Sequence, residues 1–157
     1  MLFEHFINGA TVSIGEFREA VSKPLMSRAA MGYAFTCLMR AEQEGFACAL
    51  LLDKKRRYIT TVCLKRHGEM AEHNVLDLLA EATEKYDAAY FVVAHNHKAG
   101  ILAPSGADLT TTTMISQHFL DEKAQFLDHF IVAGDAYMSI LDRRVSKKYI
   151  KLKDLLK

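Results

Sequence analysis

The run Ala89-Tyr90-Phe91-Val92-Val93-Ala94 constrains this chain most. It is apolar throughout and long enough for a central strand, and it delivers the backbone to His95-Asn96-His97. Such a strand needs partners on both sides. Phe46 to Leu52 is a second, nearly continuous apolar run, closed by the polar turn Asp53-Lys54-Lys55-Arg56, and Tyr58 to Leu64 is rich in β-branched residues. These two segments are predicted to form a buried hairpin. Phe126 to Ala133 and Tyr137 to Leu141, joined by Gly134-Asp135, supply two more strands.

Helices fill the intervals. Ser13-Ile14-Gly15-Glu16 has the form of a capping box and predicts a helix from about Ile14 to Ser22. Pro24 interrupts it, and the apolar-rich stretch from Leu25 to about Gln43 predicts a second. Glu72 to Tyr86 places Val75, Leu78, Leu79 and Ala82 at helical spacing, a stripe suited to packing on the sheet. A polar helix from about Gly106 to Lys123 follows, its propensity weakened by Thr110 to Thr113. The basic tail from Val145 to Lys157 is read as helical. This order makes the fold class α/β, with a mixed central sheet flanked by helices. At 157 residues the chain is expected to be a single domain, residues 1–157, with an N-terminal helical segment (1–40), a core (41–142) and a basic tail (143–157).

Composition narrows the partners little. Hydrophobic residues make up 50% and charged residues 25%, the balance of a folded globular protein, and a formal charge of +1 gives no global attraction to nucleic acid or anionic membrane. The three cysteines, Cys37, Cys48 and Cys63, form no Cys-x-x-Cys pair, and a reducing cytoplasm suits them. Met1-Leu2-Phe3-Glu4-His5-Phe6 lacks the basic start and apolar run of a signal peptide. No apolar run approaches the roughly 20 residues needed to cross a bilayer, so no membrane association is expected.

The chemistry gathers at the end of the central strand. On an extended backbone residues i and i+2 point to the same side, so the rings of His95 and His97 can reach one ion. Imidazole nitrogen suits zinc, and a catalytic zinc keeps three protein ligands and one open position. Asp108, on the first turn of the next helix, is the candidate third ligand. By itself the pair is weak evidence: with 7 histidines in 157 residues, chance order yields a His-x-His roughly one time in four. Ser105 and Asp108 also read as a plain capping box, which competes for the same carboxylate oxygens. Cys48, inside an apolar run, reads as packing and not as a nucleophile. A deaminase's His-x-Glu with Pro-Cys-x-x-Cys and the helical His-Glu-x-x-His of common metalloproteases are both missing.

The complete pattern is more specific. A strand ending in His-x-His, then seven residues, a serine, two residues and an aspartate resembles the signature of the JAMM (MPN-domain) metalloproteases. That family pairs the pattern with an upstream glutamate heading a buried strand, and Glu44 stands just before Gly45-Phe46-Ala47-Cys48-Ala49-Leu50-Leu51-Leu52-Asp53. Within the family the likeness is to the bacterial RadC-like branch. His95-Asn96-His97-Lys98-Ala99-Gly100 is similar to its His-Asn-His-Pro-Ser-Gly, and Pro104-Ser105 with Asp108 matches its Pro-Ser-x-x-Asp. Leu127-Asp128-His129-Phe130-Ile131-Val132 followed by Tyr137 is similar to its closing strand pair. The resemblance covers about residues 40 to 142, and Lys98-Ala99 departs from the usual Pro-Ser. Against full-length RadC proteins, the first 40 residues read as local helices in place of a separate N-terminal domain.

The resemblance implies a single MPN domain with one Zn2+ per chain held by His95, His97 and Asp108 at a strand end. It implies a zinc-dependent metallopeptidase or isopeptidase acting on a protein or peptide, commonly one with a ubiquitin-like tail joined to lysine. Glu44 would be the general base and Ser105 the donor to the oxyanion. Asp128 and His129 read either as a pair behind the site or, the commoner case for a strand histidine, as core groups satisfying their own hydrogen bonds, and they stay outside the ligand set. The alternative is a non-catalytic module with a protein-interaction or DNA-associated role. Arg143, Arg144, Lys147, Lys148, Lys151 and Lys153 of the tail offer nucleic-acid contacts, though a solvated helix face is the favoured explanation. Substrate, pathway and oligomeric state stay open.

Overall fold

The computed structural model describes residues 11–40, 42, 45–65, 75–98, 100–142 and 144–145. Along the chain run α1 (Thr11–Ala20), α2 (Arg28–Met39), β1 (Ala47–Leu52), β2 (Tyr58–Lys65), α3 (Val75–Lys85) and β3 (Tyr90–His97). They are followed by α4 (Gly106–His118), β4 (Gln125–Ala133), β5 (Ala136–Ser139) and β6 (Arg144–Val145). The strands form one mixed sheet in the order β2-β1-β3-β4-β5-β6. β1 is antiparallel to both neighbours, β3 and β4 are parallel with α4 as their crossover, and β5 and β6 return antiparallel.

Alternation along β1 and β3 divides the core between the two faces. Cys48, Leu50 and Leu52 of β1, with Val92 and Ala94 of β3, face α1 and α2, where Phe17, Phe35, Leu38 and Phe130 join them. Ala49, Leu51, Phe91 and Val93 face the other way, toward Leu79 of α3 and Ile115 of α4. Both strands are buried along almost their whole length, as their unbroken apolar sequences require. His95 and His97 continue the series begun by Phe91 and Val93, and this alternation is what aims them at α4.

Several boundaries differ from the sequence reading for local reasons. α1 is already helical at Thr11, so Ser13 lies inside it and not at its N-cap, and the Glu16 carboxylate pairs with the Arg40 guanidinium. α2 begins at Arg28, not Leu25: the Leu25 N–H is bound to the Arg56 carbonyl of the β1–β2 turn at 2.9 Å, and Ser27 caps the helix by accepting from Ala30 N–H at 3.0 Å. α4 stops at His118 instead of Lys123, because Phe119 turns inward to pack edge-on against Phe91. In the tail, Arg144 and Val145 are a strand and not a helix; residues 146–157 lie outside the described residues. No helix among the described residues is long and apolar enough to cross a membrane.

Candidate metal centre

β3 ends at the site. His95 pairs in register with Ala47 of β1 and Ile131 of β4, and His97, its last residue, with Ala133. Their Nε2 atoms are 2.9 Å apart. The loop after β3 folds Asp108 back over them, with Oδ1 3.0 Å from His95 Nε2 and Oδ2 3.3 Å from His97 Nε2. Ligand atoms of the three residues all lie within 4.8 Å of one another.

The capping and metal readings of Asp108 prove compatible. Ser105 is the N-cap of α4: its Oγ accepts from Asp108 N–H at 3.1 Å, and its own N–H donates to Asp108 Oδ2 at 2.7 Å. Oδ1 is left facing His95. The cap thus locks the rotamer that presents the carboxylate, and Ser105 itself stands exposed at the rim of the cluster.

Each histidine is also held from behind. His97 Nδ1 lies 3.1 Å from the Ile101 carbonyl, which can only accept, so the proton is on Nδ1 and the Nε2 lone pair points at the cluster. His95 Nδ1 lies 2.8 Å from His129 Nε2, and His129 Nδ1 lies 2.7 Å from Thr112 Oγ1. His129 reaches this face through a β-bulge: Phe91 pairs with Phe126 and Val93 with His129, so Val92 stands opposite both Leu127 and Asp128. Leu127 and Asp128 therefore both turn toward α2, and the pair expected behind the site is split. His129 backs the site, while the buried Asp128 carboxylate takes Arg28 and Ser139 on the far face.

Gln43 and Glu44 lie outside the described residues, while Glu42 and Gly45 on either side of them are described. Asn96, between the two histidines and on the opposite face of β3, accepts from Phe46 N–H at 2.8 Å and donates to the Glu42 carbonyl at 3.3 Å. Gly45 has φ +94°, a conformation that glycine adopts without strain. Sequence reading gave Asn96 no role, since an asparagine inside a metal motif carries no pairing signal of its own. Beside the cluster, Leu64, Val75, Val93 and Thr111 wall a cavity of about 210 Å³ with Lys65 on its lining.

Electrostatics suit a cation. Burial lowers the pKa of His95 despite the pull of Asp108, and burial with the neighbouring His95 lowers that of His129 to about 3. Burial would raise the Asp108 carboxyl, but the Ser105 N–H and the two histidines outweigh it and hold it below the usual range. Near neutral pH His95 is uncharged and Asp108 ionised. An uncharged His95 beside an ionised Asp108, with His97 Nε2 2.9 Å from His95 Nε2, is a donor set suited to a cation. Two ligands of one tetrahedral zinc sit about 3.3 Å apart, near the 2.9 Å between the two Nε2 atoms and the 3.0 and 3.3 Å from each to its own Asp108 oxygen.

A family model described as a RadC-like JAB domain matches residues 6–145. The chain belongs to the RadC-like JAB domain family. The RadC-like match takes in every strand of the sheet and all three residues of the cluster. The chain is 34% identical over 134 residues to a UPF0758 protein of Bordetella petrii, covering 80% of this chain and 58% of that protein. It is 36% identical over 107 residues to one of Cupriavidus pinatubonensis (68% and 46%) and 30% identical over 106 residues to one of Pseudomonas savastanoi (68% and 47%). This RadC-like chain spans about half the length of the curated relatives it matches. The wider JAB/MPN family includes metalloproteases.

Proposed function

We propose that this chain is a zinc-dependent hydrolase, a metallopeptidase or isopeptidase that binds one Zn2+ through His95, His97 and Asp108. The observation that carries the reading is that ligand atoms of His95, His97 and Asp108 lie within 4.8 Å of one another, with His95 Nδ1, His97 Nδ1 and Asp108 Oδ2 each engaged by a partner behind the cluster. Zinc bound there would lower the pKa of a coordinated water to about 7 and polarise a substrate carbonyl.

The protein's own groups carry the remaining roles. Glu44 takes a proton from the attacking water and delivers it to the leaving amine. Asn96 ties down the backbone on both sides of Glu44, which supports that assignment. Ser105 donates its hydroxyl proton to the oxyanion that forms; its Oγ accepts from Asp108 N–H, which orients the O–H away from the helix. The substrate is a protein or peptide amide, with an isopeptide bond to a ubiquitin-like tail as the leading class. The three thiols are consistent with a cytoplasmic location.

Elemental analysis of the parent, His95→Ala and Asp108→Ala tests the metal. About one zinc per chain, lost in both variants, supports the site; equal metal in all three rejects it. Glu44→Gln tests the chemistry and should retain zinc while losing hydrolysis of a peptide or isopeptide that the parent cleaves. Undiminished hydrolysis by that variant removes Glu44 as the base.

A further inference from the structure

Behind His95 three groups form a hydrogen-bonded line with a readable direction. The Thr112 hydroxyl lies 2.8 Å from the Asp108 carbonyl one turn back along α4. A carbonyl only accepts, so the single hydroxyl proton sits in that contact, and toward His129 the Thr112 oxygen is an acceptor. The 2.7 Å contact then makes His129 Nδ1 the donor. The His129 ring is buried and hydrogen-bonds to no carboxylate among the described residues, so a second proton would leave an uncompensated buried charge. Its Nε2 is therefore bare and accepts from His95 Nδ1 at 2.8 Å. His95 in turn keeps Nε2 free, the atom 3.0 Å from Asp108 Oδ1.

We infer that His129 and Thr112 are positioning residues that fix His95 in the tautomer whose Nε2 can bind a metal. The inference rests on the metal reading of the cluster. Metal-bound histidines ordinarily donate their second N–H to a carboxylate, a carbonyl or water. Here the acceptor is a neutral imidazole whose own tautomer is set by a threonine, so the order of the site depends on the α4 backbone two links away. His97, by contrast, is fixed directly by the Ile101 carbonyl.

Two measurements on the full chain test this. Nitrogen-15 NMR of the metal-free parent at about pH 8 should find the His95 proton on Nδ1; a proton on Nε2 overturns the inference whether or not the protein ever binds zinc. Zinc affinity is then measured by competition with a chromophoric chelator for the parent, His129→Gln, His129→Leu and Thr112→Val. Gln retains an acceptor near the Nε2 position and should remain within a few-fold of the parent. Leu, which offers none, should weaken binding about 10- to 100-fold, and Thr112→Val should fall between. Equal affinities for the Gln and Leu variants reduce His129 to packing and overturn the inference. A parent that binds no zinc defeats the metal reading alone, because the NMR result still decides the tautomer.

Discussion

Asn96 Oδ1 accepts the Phe46 N–H at 2.8 Å from a residue whose two neighbours in sequence point to the opposite side of the sheet. One strand thus carries His95 and His97 on one face and, on the other, an amide bonded to Phe46 N–H and the Glu42 carbonyl. Asn96→Leu should cost about 1–3 kcal/mol in urea denaturation, since it removes a buried acceptor and a buried donor together. Asn96→Asp restores the acceptor but not the donor to Glu42, and should also lose stability. Under the proposed zinc site, metal content should be unchanged in both, because neither variant touches His95, His97 or Asp108; a variant that loses metal the parent holds would show that the Asn96 bonds and the cluster are not separable.

The Asp128 carboxylate is fully buried and accepts from His129 N–H at 2.7 Å, Leu141 N–H at 3.2 Å, Ser139 Oγ and Arg28 Nε. Asp128→Ala strips these donors of a common acceptor and should destabilise by about 3 kcal/mol. Arg28 is half-exposed, but its removal leaves the fully buried Asp128 carboxylate with neutral donors alone, so Arg28→Ala should cost about 1–3 kcal/mol, less than Asp128→Ala. Denaturation midpoints in the reverse order would place the stabilising element in the ion pair and not in the neutral donors.

Gly32 of α2 lies against the Tyr137 ring of β5. A Cβ at that position would meet Tyr137 Cε1 at 2.3 Å, and the ring is packed edge-on against Phe130. Gly32→Ala should therefore lower stability by about 1–3 kcal/mol despite alanine's better helix propensity. Combined with Tyr137→Leu, its cost should shrink. Strict additivity in that double-mutant cycle would locate the strain elsewhere.

Asp53 organises the β1–β2 turn by accepting from Arg57 N–H and Lys55 N–H, both at 2.9 Å, and from Arg57 Nε at 2.8 Å. The Arg57 N–H, and then the Arg57 guanidinium and Lys55 N–H, hold its carboxyl below the usual range despite some desolvation. The folded-state value lies below the unfolded one of about 3.9, so the contribution is complete above about pH 4 and is lost as pH falls through the folded-state value. The stability gap between the parent and Asp53→Asn should be constant from pH 7 to about pH 5 and close toward pH 2. A gap of the same size at pH 2 would mean that the charge is immaterial.

The sheet was legible because its central strands are apolar at nearly every position; the His95, His97 and Asp108 set was legible only through the full His-x-His to Ser-x-x-Asp spacing and the family resemblance it carries, since the histidine pair alone is weak evidence. What escaped has physical causes. Ser13 and Glu16 have capping-box spacing, but spacing does not reveal that a helix is already under way, and Arg40 claims the glutamate from a distant helix. Leu25 to Ser27 have no helix-breaking residue among them; a hydrogen bond to Arg56, distant in sequence, keeps Leu25 out of α2. Asp128 and His129 could not be assigned to faces by counting, since a bulge shows only in pairing.

That bulge indexes the two sides of β4 separately. The stretch from Phe126 to His129 holds one residue more than the opposing stretch from Phe91 to Val93 requires. A chain shortened by Leu127 or Asp128 would still present His129 opposite Val93 by ordinary alternation. What it would give up lies on the far layer: Leu127's packing there, or the Asp128 carboxylate with its bonds to Arg28, Ser139 and Leu141, so the surplus residue serves that layer and not the alternation that aims the histidine.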